Sequence, residues 1–347
     1  MSLRWKILSM YFTFVPYDCR MKEDPFVQTD DEEMKTLGKS LLAFSMILLA
    51  ACGSSSDSAA AAASASSEAS ASALTPLTVQ FVPTNNDGSM EAKAKPFADY
   101  LSEKLGREVT VTLATDYSTI VEAMESGKVD IGIMPPAAYV QAKNAGAAKA
   151  LLSSTLVDYD QTTELPIEGS TTGTFKGEVI CRADSDMTQL SDLKGRKIAT
   201  LSPNSASGYI YPVAEMKDIG IDPTTDCTLV TVNDIPSEIT AVLNGQVDAA
   251  FVFEGARYVF NSKFEDNDLL TDLKVLYLTK GDIPNDAIAV LPTMDEATQQ
   301  QVKEVFLNMP NDEEGKDAMT LWGHTGYVEA DESAYDTMQS YIDKASE

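Results

Sequence analysis

From Leu77 onward the apolar positions of the chain change period repeatedly. In "LTVQFVP" (77–83) and "EVTVTLA" (108–114) they alternate with polar ones, and Val109, Val111 and Leu113 line one side of a strand. Between these stretches Phe97, Leu101 and Leu105 fall at i, i+4 and i+8, one face of a helix over 91–105. The same reading predicts strands in "FKGEVICRADS" (175–185), "LKGRKIATLSP" (193–203), "CTLVTV" (227–232) and "LKVLYLT" (273–279), and helices over 295–309 and 333–345. Strand and helix taking turns is the mark of an α/β fold.

Two stretches within that alternation share one plan. "IVEAMESGKVDIGIM" (120–134) and "EITAVLNGQVDAAFV" (238–252) each run from an amphipathic helix through a glycine stop to Val-Asp and an apolar strand. Their repetition predicts two similar α/β lobes rather than one long sheet. Residues 76–175 and 280–347 are expected to form lobe one, with the two closing helices completing it, and 176–279 to form lobe two. Two crossings between lobes leave a cleft at the carboxyl ends of the strands, where a ligand is to be sought.

The residues before Leu77 carry an address rather than a fold. "MKTLGKSLLAFSMILLAAC" (34–52) has basic Lys35 and Lys39, then an apolar run and small residues up to Cys52; the run is too short to span a bilayer and reads as a secretion signal, 34–51. Its last residues, "LAAC", resemble a bacterial lipobox, so Cys52 is expected to receive lipid and to hold the protein at the outer face of the cell membrane. Acidic "DDEE" directly before Met34 is the wrong charge for the start of a signal, so residues 1–33 read as a spurious leader. The Ser/Ala stretch 52–75 has almost no large apolar side chain and reads as a flexible tether.

Charge narrows the partners. The chain has 26 Lys+Arg against 53 Asp+Glu, a net charge of −27, which argues against nucleic acid and against an anionic membrane surface as the main partner. Cys181 and Cys227 are the cysteines of the predicted lobes, and outside the cytoplasm they could pair or stay as buried free thiols.

Catalytic chemistry finds little support. The single histidine, His324 in "LWGHTGY", is far along the chain from Ser205 and Ser207, which do not stand in Gly-x-Ser-x-Gly. Carboxylates spread along the chain predict no metal site, and no Gly-x-x-x-x-Gly-Lys-Ser/Thr predicts nucleotide hydrolysis. What remains is "SPNSASGYIYP" (202–212), a helix start at Ser205. The first four N–H groups of a helix lack internal partners and carry about half a positive charge, so they can hold an oxyanion. The Ser205 and Ser207 hydroxyls would add donors and Gly208 would permit close approach; an ordinary serine cap reads the same residues without a ligand.

That stretch resembles the Ser-x-Ser-Gly-Tyr-x-x-Pro segment of the phosphate/phosphite/phosphonate-binding (PhnD-like) proteins of ATP-binding-cassette importers. The resemblance runs from "VQFVP" through "PFADYLSEKLG", "ATDYSTIVEAMESGKVDIGIMPPAAYVQA", "LSDLKGRKIA", "NGQVDAA" and "IPNDAI" to "GYVEADESAYD" (326–336), nearly the whole predicted mature chain. It implies a two-lobed periplasmic-binding-protein fold of the type with two hinge crossings (type II). It also implies capture of a small phosphorus oxyanion in the cleft, a membrane permease and an ATPase as partners, no cofactor and no catalysis. The matching ligand positions are Tyr117, Tyr139, Ser205, Ala206, Ser207 and Asp248, the last of which also reads as a strand-end cap like its repeat partner Asp130. Ala206 stands where the family usually has threonine, Pro135 where it has glycine, and "NDIPSEIT" lacks the histidine many relatives carry before "AVLNGQVD". A dehydratase-like enzyme or a sensor lipoprotein on the same fold are the competing readings.

Overall fold

The computed structural model describes residues 74–82 and 88–347; the expected leader 1–33, the expected signal 34–51, the expected lipid acceptor Cys52 and nearly all of the expected tether lie outside them. Fourteen strands are found among the described residues: β1 Leu77–Phe81, β2 Val109–Leu113, β3 Ile131–Met134, β4 Lys149–Tyr159, β5 Pro166–Thr172, β6 Thr174–Phe175, β7 Gly177–Arg182, β8 Lys197–Thr200, β9 Thr228–Thr231, β10 Ala249–Phe253, β11 Leu273–Leu278, β12 Ile283–Pro284, β13 Ala287–Val290 and β14 Gly326–Glu329. They make two principal sheets. One has seven strands, ordered β14-β4-β13-β3-β1-β2 with β5 on β4; the other has five, ordered β11-β7-β10-β8-β9. The first sheet takes its strands from both sides of the second in sequence, and the chain passes between them twice. The two passages pair with each other, Phe175 of β6 opposite Ile283 of β12.

The repeated plan is visible in space. In the first sheet β3 lies parallel to β1, and in the second β10 lies parallel to β8. The helix before β3 is α2, Tyr117–Glu125, started by the Asp116 carboxylate accepting from Thr119 N–H; the helix before β10, Ile235–Leu243, is started in the same way by Asp234 accepting from Ser237 N–H. Gly127 (φ 66°) and Gly245 (φ 64°) then end the two helices in the left-handed conformation that glycine adopts without penalty.

Helices α1, Ser89–Leu105, and Glu296–Asn308 cover one face of the seven-stranded sheet, burying Phe97, Leu101 and Phe306 with Val79, Ile131 and Ile288. Each such side chain contributes about 1.5–3 kcal/mol by leaving water. Helix α3, Pro136–Asn144, follows β3, and α4, Tyr211–Asp218, follows the "SPNSASGYIYP" turn. The last helix, Glu332–Ser346, packs on α3 and on α4, so it does more than complete the first sheet. Lys344 pairs with Asp218 at 2.5 Å, and Lys217 donates to the Ala345 carbonyl at 3.1 Å. Cys181 and Cys227 are free thiols, and Cys227 donates to the Leu193 carbonyl at 3.1 Å. Among the described residues no helix is long and apolar enough to cross a membrane.

Candidate functional site

The parallel strands of both sheets end in turns that lead into helices. After β8 the chain makes a tight turn in which Ser205 N–H donates to the Ser202 carbonyl at 2.8 Å, and the Ser205 hydroxyl accepts from Gly208 N–H at 3.2 Å. Ser205 is therefore a helix cap, and the helix it starts is wide: Ile210 N–H reaches back five residues to the Ser205 carbonyl at 2.9 Å. This single π-type turn, 206–210, leads into α4, and such turns recur at functional sites. The Ala206 and Ser207 amides lie in its first turn, where the helix has no earlier carbonyl to receive them. Ser205, Ala206 and Ser207 are all buried.

Gly208 serves a different neighbour from the one expected. A Cβ at this position would meet the Leu201 side chain at 2.8–2.9 Å, and Leu201 N–H donates to the Gly208 carbonyl at 3.1 Å. The glycine lets the helix start press against the end of β8, so its clearance belongs to Leu201 rather than to a ligand.

Opposite this turn stands Tyr117, the first residue of α2. Its phenol is pushed up to about 12, first by burial and then by the Asp286 carboxylate, with the nearby Ser205 side chain pulling the other way. Asp286 precedes Ala287, which pairs with Met134 at the carboxyl end of β3, the same edge of the sheet at which Tyr117 follows β2. Gln141 Nε2 of α3 donates to Asn204 Oδ1 of the turn at 3.3 Å, a direct bond between the lobes. At neutral pH Tyr117 is an uncharged donor, and so are the serine hydroxyls and the turn amides.

Asp286, between β12 and β13, is a candidate site residue that the sequence reading did not name. Its side chain is 24% exposed, and His324 Nε2 lies 3.4 Å from its Oδ2. Besides Tyr117, the phenols of Tyr327 and Tyr335 are pushed up, chiefly by burial and further by the Asp286 carboxylate. Its signal was the "IPNDAI" stretch itself, which matched the family without yielding this residue.

Two of the predicted ligand residues are placed elsewhere. Tyr139 is fully buried in α3; its hydroxyl accepts from Ala150 N–H at 3.0 Å and donates to Glu332 Oε1 at 2.9 Å, and its ring meets Tyr335 edge-on at 4.6 Å. Both capacities of the hydroxyl are used within the core of the protein. Asp248 sits at the amino end of β10, whereas Tyr117 and Ser205 follow the carboxyl ends of β2 and β8. Its carboxylate accepts from Lys197 N–H at 2.8 Å and its own N–H donates to the Lys197 carbonyl at 2.7 Å. Asp130 does the same at Thr78 of β1, at 2.8 and 2.9 Å. Asp248 therefore has the strand-end role. Among the described residues no group of three or more His, Cys, Asp or Glu could hold a metal ion.

Two α/β lobes joined by two crossings form a type II periplasmic-binding-protein fold. That fold is shared with the binding protein component of an ABC phosphonate transporter from Pseudomonas aeruginosa, at a TM-score of 0.62 and 19% identity over 77% of this chain and 85% of that one. Residues 79–335 match the family described as ABC transporter, phosphonate, periplasmic substrate-binding protein, and the chain belongs to that family. Among its relatives, a phosphate-import protein PhnD of Mycolicibacterium smegmatis is 29% identical over 186 residues, 51% of this chain and 55% of that protein, so the aligned part spans about half its length. A phosphonates-binding periplasmic protein of Escherichia coli is 24% identical over 251 residues, 71% of this chain and 70% of that protein.

Proposed function

We propose that this chain is the extracytoplasmic binding component of an ATP-binding-cassette importer, capturing a phosphonate, phosphite or related phosphorus oxyanion without transforming it. The observation that carries this reading is that the first lobe touches the Ser205 turn of the second, where Gln141 Nε2 donates to Asn204 Oδ1 at 3.3 Å. An oxyanion entering there takes the Tyr117 hydroxyl from one side and the Ser205 and Ser207 hydroxyls with the Ala206 and Ser207 amides from the other. Contact with both lobes at once makes closure part of binding, and the closed form is what a permease would receive.

Asp286 limits which anion suits the site. A carboxylate repels a bare oxyanion, but it accepts a hydrogen bond from one that carries a proton or an amine. Binding without turnover is supported by His324, whose two ring nitrogens face Tyr327 and Asp286 and are not free to act as a base on a ligand. Lipid on Cys52 would keep the protein beside its permease and ATPase.

Thermal-shift measurement of the purified protein against phosphate, phosphite, methylphosphonate, 2-aminoethylphosphonate, sulfate and taurine tests the reading. A specific ligand at 100 times its dissociation constant stabilises by about 2.7 kcal/mol. No shift with any phosphorus compound would sink it, and consumption of a ligand during incubation would turn it towards an enzyme.

A further inference from the structure

The single histidine is not a surface loop residue. His324 is 6% exposed, its ring lies 5.5 Å from that of Trp322 at an interplanar angle of 23°, and its backbone N–H donates to the Met319 carbonyl at 3.2 Å. Nδ1 is 3.2 Å from the Tyr327 hydroxyl and Nε2 is 3.4 Å from Asp286 Oδ2. The two partners differ in kind. An ionised carboxylate only accepts, whereas a phenol can donate, so one neutral form of the ring satisfies both: Nδ1 accepts from Tyr327 O–H and Nε2–H donates to Asp286.

The surroundings of Asp286 leave this bond with much to decide. Asp286 precedes Ala287, which pairs with Met134 at the carboxyl end of β3, the same edge of the sheet at which Tyr117 follows the parallel β2. Its charge helps raise the phenols of Tyr117, Tyr327 and Tyr335. The Tyr335 hydroxyl is already taken by Ser153 Oγ at 2.8 Å and the Asn285 carbonyl at 3.2 Å. Among the described ion pairs the partner of Asp286 is His324, with no lysine or arginine alongside. Without the imidazole the carboxylate loses the donor that fixes its direction.

We propose that His324 is a positioning residue that sets the specificity of the cleft: through Nε2–H it holds Asp286 as an oriented acceptor, so the site selects oxyanions that bring a proton or an ammonium group over those that bring neither. The proposal rests on the oxyanion reading above and deepens it. Methylphosphonate in its singly protonated form offers a P–O–H to the held carboxylate. Sulfate at neutral pH has no proton to give and meets repulsion. His324 acts through Asp286 and needs no contact with the ligand.

The test compares calorimetric affinities for methylphosphonate and for sulfate in the wild-type protein, His324→Phe and His324→Gln. The ratio of the two affinities is the readout, because a merely structural loss weakens both ligands together. His324→Phe is expected to lower the ratio about tenfold, the scale of one charge-assisted hydrogen bond. His324→Gln, which keeps an N–H donor, is expected to recover much of it. An unchanged ratio in folded His324→Phe overturns the proposal. Should that variant not fold, nitrogen NMR of the wild-type protein decides, since its one histidine gives one unambiguous imidazole: a proton on Nε2 is expected, and a proton on Nδ1 alone overturns the proposal. A wild-type protein that binds no phosphorus anion removes the oxyanion reading instead, an outcome distinct from binding with an unaltered ratio.

Discussion

The rings of Tyr211 in α4 and Tyr341 in the last helix lie stacked, 3.9 Å apart and 9° from parallel. Beside them the buried Glu215 carboxylate accepts from Tyr277 O–H at 2.6 Å, Lys280 N–H at 2.8 Å, Gly281 N–H at 3.0 Å and Tyr341 O–H at 3.1 Å. One side chain thus ties α4, β11, the second crossing and the last helix together. Glu215→Ala strands all four donors and is expected to destabilise the fold by about 3 kcal/mol or more, with Glu215→Gln costing less, as read by urea denaturation.

Tyr117 and Tyr139 separate binding from folding. Tyr117→Phe removes a cleft donor, and oxyanion affinity is expected to fall by about 1 kcal/mol with little change in stability. Tyr139→Phe leaves Ala150 N–H unpaired in the core, so stability is expected to fall by about 1–3 kcal/mol while affinity changes little. Titration calorimetry and denaturation on both variants check the pair, and the opposite pattern would return Tyr139 to the site.

Asp248→Ala is expected to behave as a folding variant. It leaves Lys197 N–H without its acceptor at an exposed strand end, a loss of about 1 kcal/mol in stability, and ligand affinity should stay within about twofold. Asp130→Ala should match it, since the second carboxylate does the same at Thr78.

Gly208→Ala sets a methyl against Leu201, and overpacking of this kind costs about 1–3 kcal/mol. Because the strained turn also carries Ser205 and Ser207, affinity is expected to drop with stability. A second change, Leu201→Ala, should restore affinity in the double variant if the clash is with Leu201.

Local patterns made the alternation of strands and helices, the repeated helix-glycine-strand unit and the serine cap legible. Each depends on residues a few positions apart. Tyr139 was misread because the direction of a helical tyrosine is decided by what packs against it, here Glu332, which is 193 residues away in sequence. Asp286 was missed for the same reason: its partner His324 lies 38 residues on, and its place at the end of β3 depends on the pairing of Ala287 with Met134. The Asp248 error had another source, since strand direction decides which end of a strand faces the cleft, and the apolar pattern alone does not show direction.

Every cleft donor named above is neutral: two serine hydroxyls, a phenol and main-chain amides. Ionic strength should therefore act on the two halves of the binding reaction unequally. Dissociation breaks short hydrogen bonds that salt does not screen, so the rate of release should stay nearly constant as salt is added. Approach takes the anion through the field of a strongly acidic surface, which is screened over about 8 Å at physiological salt. Association should quicken with salt, and stopped-flow traces at rising ionic strength should show affinity improving through the forward rate alone.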